Sequence, residues 1–177
     1  MHMYLLALAY PTLSAMDTKR IQTFRAQYDA HYPIIEPHFT LVYAVSDWDE
    51  DAFSAEIENQ LRGVHAFDFC IRCAVLNQDE SGEFFNILLV PDEGYSKFTK
   101  IHDRLYSGKL LPHRRLDIDF IPHITIGNDG DPERCLKLIE NWNREEFEIH
   151  GRVSEIDMVK YQNNTVQTFR KMSLING

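Results

Sequence analysis

The chain carries His-Xaa-Thr twice, as "PHFT" at 37–40 and as "PHIT" at 122–125. An imidazole, with an unperturbed pKa near 6.5, can take or give a proton close to neutrality. A hydroxyl two residues away is a hydrogen-bond donor. Side chains on a strand alternate between faces, so His38 and Thr40 point one way, with Phe39 and Leu41 on the other side. His123 and Thr125 share a face likewise, backed by Ile124 and Ile126. Two such pairs facing each other across a groove suit in-line displacement at phosphorus. One imidazole serves as base beside the entering oxygen and the other as acid beside the leaving oxygen. The two hydroxyls donate to the non-bridging oxygens. This chemistry needs no metal, and no cluster with metal-ligand spacing is evident. Activity is expected to follow a bell around neutrality.

Eight histidines and eight threonines in 177 residues give about 0.36 chance matches to the tripeptide, so a single copy would carry no weight. Two copies do, because each follows proline and each lies in an apolar, strand-like run. The plainer reading makes each histidine a satisfied core residue and each threonine a strand former.

The elements that must position these residues can be read from periodicity. Helical spacing predicts helices over 14–30 (Ile21, Phe24, Tyr28), 49–62 (Phe53, Ile57, Leu61), 94–107 (Phe98, Ile101, Leu105) and 131–143 (Cys135, Leu138, Ile139, Trp142). Gly63 is a stop after the second helix, and Asp131 with Pro132 starts the fourth. The acidic runs after both motifs read as helix caps rather than metal ligands. Strand-like runs lie at 3–10, 37–45, 66–76, 84–91, 116–127, 147–159 and 165–175, with hairpin turns at 77–83 and 162–164. Strand, helix, motif strand, helix, strand therefore occurs twice, with His123 following His38 by 85 residues. This order is that of an internal duplication. No Pro/Gly/Ser linker divides the halves, so 1–177 is expected as one domain of two pseudo-symmetric lobes. The segment 107–117 is the expected mobile loop.

"PHFTLV" (37–42) and "PHITIG" (122–127), in a duplicated α+β chain of this length, resemble the two-histidine (2H) phosphoesterase superfamily. The branch most similar is the bacterial 2′-5′ RNA ligase and cyclic phosphodiesterase group. The resemblance covers nearly the whole chain, because the order of elements also agrees. It implies a bilobal fold, in which two antiparallel sheets with outer helices flank a central groove. It implies cofactor-free, metal-independent chemistry on 2′,3′-cyclic phosphates or 2′-5′ linkages of nucleotides or RNA ends. Its catalytic histidines map onto His38 and His123, and its phosphate-contacting threonines onto Thr40 and Thr125. Gly127, where the first copy has Val42, departs from the repeat and is expected to widen one end of the groove.

Lesser candidates are Arg114 and Arg115 for a second phosphate, Lys160 for a phosphate, and Tyr10 and Tyr161 for stacking a base at the groove edge. The plainer reading of each, a solvated-loop, packing or rim residue, is the one favoured. His31, His65, His102, His113 and His150 have no repeated partner and read as surface residues, His113 alone having some reach toward substrate. His2, at the chain terminus, carries no signal.

Composition bounds the rest. The net charge of −9 argues against a grip on long nucleic acid, but admits a small nucleotide or RNA terminus in a local basic patch. Cys70, Cys73 and Cys135 have no framework spacing, which suggests a reducing compartment. Cys70 and Cys73, three apart on a strand, face opposite sides and make no redox or zinc pair. The N-terminal apolar run reads as a first strand, and no stretch approaches membrane-span length. A cytoplasmic monomer with no membrane partner is expected. Two rival readings are a non-catalytic nucleotide-binding module using the same groove, and a metallohydrolase using His38, His123 and a loop carboxylate.

Overall fold

The structure, a computed structural model, describes residues 3–176. His2 lies outside the described residues. The chain forms β1 (Tyr4–Ala9), β2 (Thr12–Leu13), α1 (Ala15–Tyr28), β3 (Phe39–Val45), α2 (Glu50–Leu61), β4 (Phe67–Gln78), β5 (Phe85–Glu93) and α3 (Tyr95–Leu105). A 3₁₀ turn (Leu111–His113) leads to β6 (Ile124–Asp129), α4 (Pro132–Asn143), β7 (Ile149–Val153), β8 (Glu155–Gln162) and β9 (Thr165–Ser173).

The four helices start and stop for local reasons. Ser14, Asp49 and Asp131 accept N-terminal amides of α1, α2 and α4 through their side chains. Gly63, at φ +81, follows α2 in a conformation that favours glycine. The predicted apolar stripes of α2 and α3 are buried. In α1 the buried residues are Ile21 and Arg25, an arginine the apolar pattern did not place inside.

Two antiparallel sheets result, ordered β3-β1-β8-β9 and β2-β7-β4-β5-β6. Their inner side chains and those of all four helices form one connected core. Helices α2 and α3 pack on the first sheet, and α1 and α4 on the second. The two halves of the sequence are therefore interleaved. β4, from the first half, pairs with β5 of the second, and β8, from the second half, pairs with β1 of the first. Helix α1 follows β2 and packs against β6 of the same sheet.

Three strand expectations change. The run 147–159 is two strands: β7 joins β4 in the second sheet, and beyond Ser154 β8 joins β1 in the first. The run 116–127 is strand only from Ile124 onward. The two residues of β2, not anticipated, pair with β7. Both expected hairpins form; β8 and β9 turn through Asn163 and Asn164, both at positive φ.

The register around the two motifs is the same. Thr40 lies opposite Leu8 and Val42 opposite Ala7; Thr125 lies opposite Leu88 and Gly127 opposite Ile87. Each motif strand thus bulges by one residue directly after its threonine, at Leu41 and at Ile126. Bulges of this kind re-aim side chains beside functional sites.

Gly127 does not widen the groove. A Cβ there would lie 3.2 Å from both the Cβ and the carbonyl oxygen of Tyr28, so glycine admits the end of α1 against β6. The segment 107–117 is anchored rather than loose in its first half. Leu110 is buried, and the Lys109 amide donates to Glu56 Oε1 at 2.9 Å. Among the described residues no helix is long and apolar enough to cross a membrane. The cysteines are free, with Cys70 buried and Cys73 exposed, as expected of opposite strand faces.

Candidate active site

Both histidines stand one residue ahead of their strands, each directly after a proline. Proline has no N–H to give to a ladder and holds the preceding residue extended. The carbonyl of that preceding residue is where each imidazole docks. His38 Nδ1–H donates to the Glu36 carbonyl at 2.8 Å, and His123 Nδ1–H donates to the Ile121 carbonyl at 2.6 Å. A carbonyl only accepts, so the hydrogen sits on Nδ1 in both rings. Each Nε2 is left to take or give a proton. Behind them Phe39, Leu41, Ile124 and Ile126 are buried, which fixes the strand faces.

The two rings lie close enough for a charge on His123 to oppose a charge on His38. Burial pushes His38 down to about 4; the Glu36 carbonyl works against this, and the Arg25 charge adds to it. Burial likewise lowers His123, against the pull of the Ile121 carbonyl. Both imidazoles are therefore neutral in the free protein near neutral pH.

Three adjoining compartments make up the groove. The first, about 380 Å³, is bordered by His38 and Thr125 with Leu6, Val159, Tyr161 and Val166, so one side is apolar. The second, about 450 Å³, holds His123 with Tyr43, Asn77 and Asn86, and is walled by Asp79, Glu80, Asp117 and Asp119. The third, about 850 Å³, contains Thr40 with His31, His113, Arg114 and Arg115. Asn86 borders the first two, Tyr43 and Glu80 the second and third, and Leu6, His31 and Ala44 the first and third. The four motif side chains thus line one continuous groove between the sheets.

A buried network under the first compartment sets the backbone that holds His38. Arg25, 1% exposed, donates from Nε to Asp29 Oδ2 at 2.7 Å and from Nη2 to the Ile35 carbonyl at 2.7 Å. Ile35 adjoins Glu36, the acceptor for His38. Asp29 also takes the His31 amide at 2.9 Å and Asn128 Nδ2 at 3.3 Å. Burial alone would raise the Asp29 carboxyl; hydrogen bonds from His31 and Arg25 outweigh it and hold the group below its usual range. Asp29 in turn raises His31 against desolvation and the Arg25 charge. A second clamp comes from α3. His102 Nδ1 donates to the Leu41 carbonyl at 2.9 Å, its ring stacks on Phe120 at 3.8 Å, and Tyr106 Oη accepts the Tyr43 amide at 2.9 Å. It ties the first motif strand to the segment that leads into the second motif.

The lesser candidates divide. Tyr161 borders the apolar compartment, and Tyr10 tilts against the His38 ring at 5.9 Å. Arg114 and Arg115 line the third compartment, ion-paired to Asp103, and to Glu80 and Asp117. Lys160 is a correction. Val159 and Tyr161 face the groove, so Lys160 between them faces the other way, where its Nζ meets Glu50 Oε1 at 3.0 Å. His102 is not a surface residue but is 3% exposed, and His31 belongs to the groove. Asp29 and Arg25 went unread, and His31 was read as a surface residue, because no repeat marks them. The available signal was Arg25 breaking the apolar face of α1, four residues before Asp29. Cys70, Glu148 and His150 could share a metal ion, but none of them lines the groove, and Arg72 Nε already donates to Glu148 at 2.8 Å.

Two antiparallel sheets with helices packed against each give the α+β fold expected of the two-histidine phosphoesterases. The model of the 2′-5′ RNA ligase superfamily matches residues 13–165, and the chain belongs to that superfamily. A putative phosphoesterase of Geobacillus sp. (strain WCH70) is 32% identical over 121 residues, covering 66% of this chain and 68% of the relative. A solved structure from Thermus thermophilus shares the fold at TM-score 0.63 and 14% identity, over 98% of both chains. So does E. coli LigT complexed with 3′-AMP, at TM-score 0.60 and 14% identity, over 99% of both.

Proposed function

We propose that the protein is a metal-independent phosphodiesterase that opens 2′,3′-cyclic phosphates or cleaves 2′-5′ linkages at a small nucleotide or RNA end. The observation that carries this reading is the matched anchoring of the two imidazoles. Each is tied through Nδ1 to the carbonyl two residues back, which supports Nε2 as the atom that exchanges protons, and both residues line the groove.

In hydrolysis, one neutral Nε2 removes a proton from water as its oxygen attacks phosphorus. The other imidazole, protonated at Nε2, gives its proton to the departing 2′ or 3′ oxygen as the P–O bond breaks. Burial disfavours that protonated state in the free protein, and the anionic phosphate restores it, because a negative charge nearby raises an imidazole pKa. The hydroxyls of Thr40 and Thr125 donate to the non-bridging oxygens, where charge builds in the transition state. His38 and His123 exchange roles when the reaction runs backward. The apolar side of the first compartment, with Tyr161 at its edge, suits a nucleobase. The 3′-AMP held by the LigT structure supports a nucleotide as ligand.

The test is a product-resolved assay on nucleoside 2′,3′-cyclic phosphates, 2′-5′ dinucleotides and RNA with a cyclic phosphate end. Wild type is expected to form a phosphomonoester product that neither His38→Ala nor His123→Ala forms at a comparable rate. A variant lacking both histidines that kept full turnover would refute the reading. Binding of these ligands with no turnover in the wild type would make the protein a binding module instead.

A further inference from the structure

Away from the scissile phosphate, the groove is unequal in charge. The compartment beside His123 is walled by Asp79, Glu80, Asp117 and Asp119. The compartment beside Thr40 draws His31 from the turn after α1, and His113, Arg114 and Arg115 from the far side of the chain. Of the carboxylates among the described residues, Glu80 alone borders it. This concentration of basic side chains stands out in a chain with a net charge of −9.

The guanidiniums there are not used up. Among the described residues Arg114 donates from Nη2 alone, to Asp103 Oδ1 at 2.6 Å. Arg115 engages Asp117 and Glu80 through Nε and Nη2, leaving Nη1. Asp103, Asp117 and Glu80 are themselves 49–63% exposed. Exposed ion pairs hold weakly, whereas a phosphate offers several acceptor oxygens in the geometry a guanidinium fork matches. His31 adds an exposed imidazole whose Nδ1 sits 3.6 Å from buried Asp29, which favours its protonated form.

We propose that His31, Arg114 and Arg115 form a subsite for a second phosphate, carried on the nucleoside side of the scissile bond. The proposal rests on the phosphodiesterase reading for the position of the scissile phosphate. The side is set by continuity and by charge. The Thr40 compartment shares Leu6, His31 and Ala44 with the apolar compartment, so a nucleoside whose base lies against Val159 and Tyr161 reaches it with its other phosphate. The carboxylate wall beside His123 repels a second phosphate and leaves that end to an uncharged or cationic leaving group. The favoured substrate class is therefore a nucleoside cyclic phosphate or 2′-5′ ester that also bears a 5′-phosphate.

Calorimetry with adenosine 3′,5′-bisphosphate and adenosine 3′-monophosphate tests this without needing turnover. At low salt the bisphosphate is expected to bind about tenfold tighter, from added charge-assisted contacts. Arg114→Gln and His31→Gln should each shrink that ratio, the double variant should bring it near one, and Arg114→Lys should keep part of it. Circular dichroism and thermal melts verify that the variants fold. Equal affinities in the wild type, or a ratio untouched in the double variant, overturn the subsite. Turnover of adenosine 2′,3′-cyclic phosphate, with and without a 5′-phosphate, separates the two claims. A preserved bisphosphate preference with neither compound turned over rejects the phosphodiesterase reading and keeps the subsite. Equal turnover and equal affinity reject the subsite and keep the phosphodiesterase.

Discussion

His38 is held in a place that resists its protonation, and this resistance should be measurable as acid sensitivity of the fold. Burial brings the imidazole down to about 4, with the Arg25 and His123 charges adding to burial and the Glu36 carbonyl opposing it. In the unfolded chain the same ring protonates near pH 6.5. The unfolded state therefore binds the proton first as pH falls. Stability is lost from pH 6.5 downward, and the loss is complete near pH 4. At about 1.4 kcal/mol per pH unit the whole window is worth about 3 kcal/mol, and water at this half-buried site reduces it to roughly 2 kcal/mol. Asparagine at this position keeps an N–H donor for the Glu36 carbonyl and does not titrate. Urea unfolding of wild type and His38→Asn at pH 7 and pH 5, followed by tryptophan fluorescence, isolates the effect, because His102 and His123 titrate in both proteins. Wild type should lose roughly 1 kcal/mol more than the variant between these pH values. Parallel losses, or an NMR titration placing His38 at 6.5 or above in the folded protein, would show that the ring is not held as described.

Removing either imidazole, in His38→Ala or His123→Ala, should lower kcat by about 10²-fold or more, and Thr40→Val or Thr125→Val by about 10²-fold, measured on a nucleoside 2′,3′-cyclic phosphate. Because both histidines lie below their ordinary range in the free protein, the bell of kcat/KM against pH should centre on the acid side of 6.5 rather than at neutrality. An optimum above pH 7 would contradict that burial. Arg25→Met leaves Asp29 buried without its guanidinium partner and should cost about 3–5 kcal/mol of stability in urea unfolding. The same stability as wild type would mean that the network under His38 is not structural.

The helices were legible because their information is local. Apolar residues three and four apart, a capping Ser or Asp, and a glycine stop all lie within a few turns of one another. The alternation of strand faces was equally local. It placed Phe39, Leu41, Ile124 and Ile126 inside and kept His and Thr together. Alternation cannot say which sheet a strand joins. Nothing in 147–159 announced that the chain changes sheets at Ser154, and the apolar run before Ile124 read as strand until pairing with β5 limited it. Lys160 was misplaced for the same reason, since its orientation follows from which face of β8 meets the groove.

The sequence by itself determined the reactive kit: two imidazoles, two hydroxyls, their shared faces and their repetition, all consequences of the two-residue period of a strand. The tertiary structure decided what the kit can do. Interleaving of the halves carried both motifs to one groove, the paired bulges aimed them, and the carbonyls of Glu36 and Ile121 selected the tautomer. Burial then shifted both rings from their solution behaviour. Proton affinity depends on solvent access and on charges distant in sequence, such as Arg25, so it exists only once the chain has closed around them.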